Sequence, residues 1–174
     1  MVRSADRFYH RAVATPLPPI DTDQVARFWS RFLATGVVDP STPMPEKVEP
    51  FGDSVELANE LIEAVLNGPK RATAGALVDY ELEGVPLPEP GTISIATDGA
   101  GRARAVLRTT EVRIGPLSSA DESFAWDEGE GDRTRDWWLA AHQEFFGRYL
   151  PTIGVTFDPN MTTVFERFEM LFGR

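Results

Sequence analysis

The stretch from Pro86 to Ile114, PLPEPGTISIATDGAGRARAVLRTTEVRI, decides the fold class. Pro86, Pro88, Pro90 and Gly91 hold the chain in an irregular loop. Thr92 to Thr97 then reads as a strand and Asp98-Gly99-Ala100-Gly101 as a tight turn. Arg102 to Ile114 reads as a second strand that forms a hairpin with the first. Upstream, Asn67-Gly68-Pro69 ends a helix whose buried face is Ala58, Leu61, Ile62 and Val65, with Asp53 and Glu56 in a capping-box pattern at its start. Lys70-Arg71-Ala72-Thr73 follows, then a short helical stretch from about Ala74 to Leu82. Downstream, the loop Asp127 to Asp132 precedes a long helix, about Arg133 to Tyr149, with Trp138, Ala141, Phe145 and Tyr149 on one face. Thr163 to Phe172 closes the chain as a strand.

The first part of the chain is simpler. Pro16, Pro18 and Pro19 favour an extended segment, so residues 1–20 read as a flexible tail. Asp21-Thr22-Asp23 opens a helix, and Val25, Phe28, Trp29, Phe32 and Leu33 recur at the spacing of one apolar stripe. Gly36 is its expected stop, and the four prolines between Asp39 and Pro50 mark a loop. Residues 21–174 are expected to form a single α+β domain, with helices gathered around a small, mainly antiparallel sheet or barrel.

Composition narrows the function classes. The 174 residues carry 17 basic and 27 acidic side chains, a net charge of -10. That argues against coating long nucleic acids, DNA included, because phosphate binding needs a broad basic surface; a local basic cleft or a nucleoside ligand stays open. With no cysteine, thiolate metal sites and disulfides are excluded. Two histidines, His10 and His142, argue against a histidine-rich zinc site; a carboxylate-bound magnesium stays open. No apolar run approaches the roughly 20 residues of a membrane span, and MVRSADRFYH lacks the apolar core of a signal peptide. The expected location is the cytoplasm, without a membrane partner. Oligomeric state is not legible.

Each chemistry-bearing residue has a plain reading and a functional one. Lys70 and Thr73 are a surface lysine and a capping threonine, or a phosphate- or oxyanion-binding cation beside a nucleophilic hydroxyl. If desolvated, Lys70 would have a lowered pKa and could serve as a base. Glu128-Gly129-Glu130-Gly131-Asp132 is a solvated acidic turn with Asp132 capping the next helix, or a site whose crowded carboxylates keep a proton. Glu166 shares a strand face with Val164, Phe168, Met170 and Phe172, so partial burial and a partner such as Arg71 are expected. His142 reads as a satisfied core histidine. Trp126, Trp137 and Trp138 read as core aromatics or as rings that could stack a base, and Trp126 stands apart because it precedes the acidic loop. Arg102, Arg104 and Arg108 form the one compact basic stripe, read as a solvated sheet face or as phosphate-facing.

Taken in order, four strings resemble the ASCH domain: FGDSVELANELIEAVLNGPKRATA from Phe51, the hairpin string from Pro86, FAWDEGEGDRTRDWWLAAHQEFF from Phe124, and the closing TTVFERFEMLF. The resemblance spans roughly residues 25–172. It implies a PUA-like fold, a small mixed or antiparallel β-barrel flanked by helices. Members of that family have been described as RNA-binding modules, as ribonucleases and as amidohydrolases acting on N4-acetylcytidine. In the amidohydrolases a lysine, a threonine three residues on and a later glutamate act together. Lys70 and Thr73 match the first two. Glu130 is the first choice for the third and Glu128 the second, and the three are expected to line one pocket. Arg71, Trp126, Asp132, Glu166 and Arg104 are the expected substrate contacts. No cofactor is expected and, with no cysteine and no histidine cluster, no catalytic metal. The resemblance implies either a hydrolase acting on RNA-derived substrates or a non-catalytic module that binds RNA or a nucleotide.

Overall fold

The computed structural model describes residues 15–174. The expected tail falls mostly on residues outside that range. Five strands join in one sheet in the order β1-β3-β4-β5-β2, and among the described residues there are five α-helices. The fold is α+β. By its internal contacts the chain divides into two compact units, and β4 and β5 contribute residues to both.

The first unit holds Pro69–Pro90 and Thr110–Arg167. Here β2 (Ala72–Ala76) pairs antiparallel with β5 (Thr162–Gly173), with Thr73 opposite Glu166 and Ala76 opposite Thr163. This strand replaces the start of the expected helix. Ala-Thr-Ala-Gly-Ala has no period of its own, and a partner strand 87 to 95 residues further along the chain fixes its conformation. Only Leu77–Glu83, α3, is helical. A 3-10 turn at Leu117–Ser119 leads to α4 (Glu122–Glu128), whose N-cap Asp121 accepts from the Phe124 N–H at 2.7 Å. Next comes α5 (Arg135–Tyr149). Its N-cap is Thr134, not Asp132: the Thr134 hydroxyl oxygen accepts from the Trp137 N–H at 3.2 Å, while Asp132 accepts from Thr134. The core of this unit packs Phe124, Trp138, Phe146, Leu150 and Phe165 around the small side chains of Ala72 and Ala76.

The second unit holds the described part of Val13–Gly68, with Gly91–Thr109 and Phe168–Arg174. Helix α1 (Thr22–Leu33) starts at Asp21, whose carboxylate accepts from the Gln24 N–H. Its stripe of Val25, Phe28, Trp29 and Phe32 is buried against Ile95, Ala103 and Val106, as the periodicity predicts. Helix α2 (Val55–Leu66) is capped by Ser54, not by Asp53, and Glu56 accepts from the Thr15 N–H and hydroxyl. The hairpin is as expected: β3 (Ile93–Thr97) pairs with β4 (Ala103–Pro116), Ile95 opposite Val106. The Asp98 carboxylate fixes its turn by accepting from the Ala100 and Arg102 N–H groups. One element inside the expected loop is a strand: β1 (Val48–Pro50) runs parallel to β3. It is three residues long and ends in proline. A strand with one neighbour tolerates that, but no periodicity can announce it.

Candidate functional site

Lys70 sits between the end of α2 and β2, and the structure buries it to 1 % exposure. Its ammonium donates to Glu130 Oε1 at 2.6 Å and to Glu128 Oε1 at 3.5 Å. These carboxylates are also buried, Glu128 at 2 % and Glu130 at 5 % exposure. Glu128 takes two further donors, the Trp138 indole N–H and His142 Nε2, the latter at 3.4 Å. His142 stacks on Trp138 with ring centroids 3.8 Å apart, and its Nδ1–H donates to the Trp138 carbonyl at 3.0 Å. Both partners of this imidazole are pure acceptors, a carbonyl and a carboxylate, so the doubly protonated ring satisfies them both. Two cations then face two carboxylates, and the buried cluster is balanced.

Local chain geometry explains the convergence. Helix α4 ends at Gly129, which adopts φ +72°, and the chain doubles back through Glu130 to Gly131 at φ +55°. A Cβ on Gly129 would lie 2.8 Å from the Lys70 backbone nitrogen and 2.9 Å from the Pro69 carbonyl carbon. The acidic loop therefore lies directly on the Pro69–Lys70 backbone, and glycine permits it. The Arg71 N–H adds a hydrogen bond to the Asp127 carbonyl at 2.6 Å. Gly129→Ala is expected to cost about 1–3 kcal/mol. In thermal unfolding that is a fall of roughly 2–4 °C per kcal/mol for a chain of this size.

Charge states follow from this packing. Burial alone would push the Glu128 carboxyl up, but His142 and Lys70, with their hydrogen bonds and that of Trp138, bring it down to about 2. Burial likewise opposes the Lys70 charge, and Glu130 and Glu128 outweigh it, raising the pKa above the ordinary lysine value. His142 is raised in the same way, Glu128 outweighing burial. Two expectations are thereby corrected. Lys70 is a held cation rather than a desolvated base. Crowding does not make Glu128 retain a proton, because its cationic neighbours outnumber its acidic one.

The other expected contacts are distributed as follows. Thr73 is half-buried on β2, opposite Glu166, and no hydrogen bond joins it to Lys70 or Glu130. By strand alternation it points away from the face on which Ala72, Ala74 and Ala76 meet the core. Glu166 is buried at 5 % exposure, as its apolar neighbours suggest. Arg71 donates to the Lys70 carbonyl at 2.6 Å. Trp126 is 58 % exposed, and the Arg133 guanidinium lies 3.6 Å from its ring centroid and donates twice to its carbonyl. Arg133 holds φ +65°, the one non-glycine residue with positive φ among those described. Asp132 is exposed beside Thr134, whose hydroxyl keeps its carboxyl below the usual range. Arg104 belongs to the second unit, paired with Glu63 at 3.2 Å and Asp98 at 3.6 Å. The sequence reads His142 as a core histidine and Trp138 as a core or base-stacking ring, and neither reading places them on Glu128. The available signal was a histidine one turn after a tryptophan, on the helix that directly follows the acidic loop.

A family model for the ASCH domain matches residues 47–171. Protein EF3133 from Enterococcus faecalis V583 has a solved structure similar to this one, with TM-score 0.77 and 37% sequence identity, covering 86% of this chain and 88% of that one. The ASCH domain from Lactobacillus crispatus JV V101 superposes with TM-score 0.74 at 26% identity, covering 86% of this chain and 94% of that chain. The fold is thus the PUA-like one that the sequence resemblance implies. No curated protein matches the chain. No helix among the described residues is long and apolar enough to cross a membrane. Also among those residues, no group of three or more histidine, aspartate or glutamate side chains is placed to hold a metal ion.

Proposed function

Because the chain belongs to the ASCH family, we propose that it is a hydrolase of RNA-derived substrates whose working group is the Lys70–Glu130 pair. The preferred substrate class is the acylated base of an N4-acetylcytidine-type nucleoside. The observation that carries this reading is the 2.6 Å contact between two buried, oppositely charged side chains that lie 60 residues apart in the chain. Holding such a pair out of water is costly, and pre-set charges of this kind are what acyl transfer uses.

In this reading a hydroxyl attacks the acyl carbon, that of Thr73 in a covalent route or that of water in a direct one. Glu130 accepts its proton, and the Lys70 ammonium stabilises the oxyanion that forms on the carbonyl. Collapse breaks the amide bond. The cytosine amine leaves with the proton from Glu130, and in the covalent route water then cleaves the threonyl ester. His142 and Trp138 fix Glu128, and Glu128 in turn holds Lys70. The net charge of -10 favours a small nucleoside over a long RNA.

The burial of Lys70 against both carboxylates also supports a second reading, a non-catalytic module in which the cluster is structural and RNA or a nucleotide binds over it. Acetate release from N4-acetylcytidine separates the two. The wild-type protein is expected to release acetate. Cleavage of single-stranded RNA with no acetate release would keep the site and change the substrate. Binding of a nucleotide without turnover of either would favour the second reading.

A further inference from the structure

The second unit contains a cleft of about 280 Å³ lined by Gln24, Phe28, Arg31, Arg102, Arg104 and Arg174. We propose that this cleft is an anion site for a phosphoryl group, its lining separate from the Lys70 cluster. The proposal does not rest on the hydrolase reading.

Four of the chain's 15 arginines reach this one place, in a protein whose net charge is -10. They come from different segments: Arg31 from the last turn of α1, Arg102 from just before β4, Arg104 from its start, and Arg174 from just beyond β5. Two of them are committed. Asp98 takes the Arg102 guanidinium at 2.9 Å and that of Arg104 at 3.6 Å, and Arg104 also bonds Glu63 and the Arg174 carbonyl. Arg31 and Arg174 have no acidic partner among the described residues. Instead they lie over an aromatic floor. The Arg31 guanidinium is 5.7 Å from the Phe28 ring centroid and 5.9 Å from that of Phe172, and Arg174 is 6.0 Å from Phe172. Rings on one side satisfy the cations by their faces and leave the N–H edges unspent.

The cleft is also pre-built. Gln24 grips β4 from α1 with two hydrogen bonds, donating to the Ala103 carbonyl at 3.1 Å and accepting from its N–H at 2.7 Å. The Phe28 and Phe172 rings pack 5.1 Å apart beneath. Guanidinium forks match the bidentate demand of phosphoryl oxygens. The volume suits a phosphate with part of its ester group and is small for a folded polymer. The ligand class is therefore a phosphate monoester or diphosphate, free or at the end of an RNA strand.

The test is titration calorimetry of the full chain at low salt with inorganic pyrophosphate, cytidine 5′-monophosphate and unphosphorylated cytidine, then with one short RNA with and without a 5′-phosphate. The phosphorylated small probes are expected to bind saturably and cytidine not at all. Arg31→Gln and Arg174→Gln should each weaken binding by about tenfold or more, the loss of one charged hydrogen-bonding partner. Arg31→Lys should restore part of it. Arg108→Gln, which removes a pair with Glu169 outside the cleft, should change nothing. If the 5′-phosphorylated RNA alone binds through Arg31, the source is an RNA end; if both RNAs bind weakly, it is a free phosphate compound. Absence of saturable binding of every phosphorylated probe would overturn the proposal. So would an equal loss in Arg108→Gln, or a loss in Lys70→Met with none in Arg31→Gln.

Discussion

Glu130→Gln is expected to lower acetate release from N4-acetylcytidine by about 10²- to 10⁴-fold, the usual contribution of a positioned proton-transfer group. The substitution keeps shape and an oxygen that can accept from Lys70, and Glu128 remains 3.5 Å away as the counter-charge. Basicity is lost, and stability should fall as well, since two buried cations then face Glu128 alone. The fall should appear in kcat rather than KM, because a group that acts only as the barrier is crossed contributes little to ground-state binding. Circular dichroism and thermal unfolding on the same sample separate this from misfolding. A rate within a few-fold of wild type would remove Glu130 from the reaction.

Lys70→Met is expected to lower folding stability by about 3–5 kcal/mol, because it leaves Glu128 and Glu130 buried without their shared cation. For a chain of this size that corresponds to a fall of roughly 6–20 °C in the unfolding midpoint. The pH dependence carries a matching signature. Glu128 is depressed in the fold, so its contribution is present above its ordinary 4.5 and is lost as the pH falls toward 2. His142 is raised, so its contribution is present below 6.5 and is lost as the pH rises through its folded value. Wild-type stability should peak between these limits. In Lys70→Met the acid limb should move to higher pH, since Glu128 loses one of the charges that lower it. Equal midpoints for the two proteins across the pH range would mean that the cluster does not hold Lys70 charged.

How much of this was legible in the sequence depends on the range of the interactions. The stripe of α1 and the Asp98–Gly101 hairpin follow from local spacing and turn chemistry, and both are present. Strands β1 and β2 do not follow, since neither carries a period of its own and each is set by a partner far along the chain. The caps at Ser54 and Thr134 lie one and two residues beyond the acids that the sequence suggested, a choice between neighbouring side-chain acceptors that spacing leaves open. For the site, Lys70 and Glu130 stand out separately by residue type, and the family resemblance is what joins them. No spacing rule connects residues 60 positions apart, and the closeness of Gly129 to the Lys70 backbone exists only in the folded chain. The roles of His142 and Trp138 were out of reach for the same reason: both were readable as core, and both are buried, but their shared acceptor Glu128 lies on the helix before theirs.

The central claim is that Lys70 and Glu130 work as one unit on an RNA-derived substrate. Its most direct test is the rate of acetate release from N4-acetylcytidine by the wild type, Lys70→Met, Glu130→Gln and the double variant, all at a temperature where each is folded. Groups that act together are not additive. The wild type should turn over, each single variant should fall by about 10²-fold or more, and the double variant should be no slower than the slower single one. No release by the wild type, or losses that multiply in the double variant, would contradict the account.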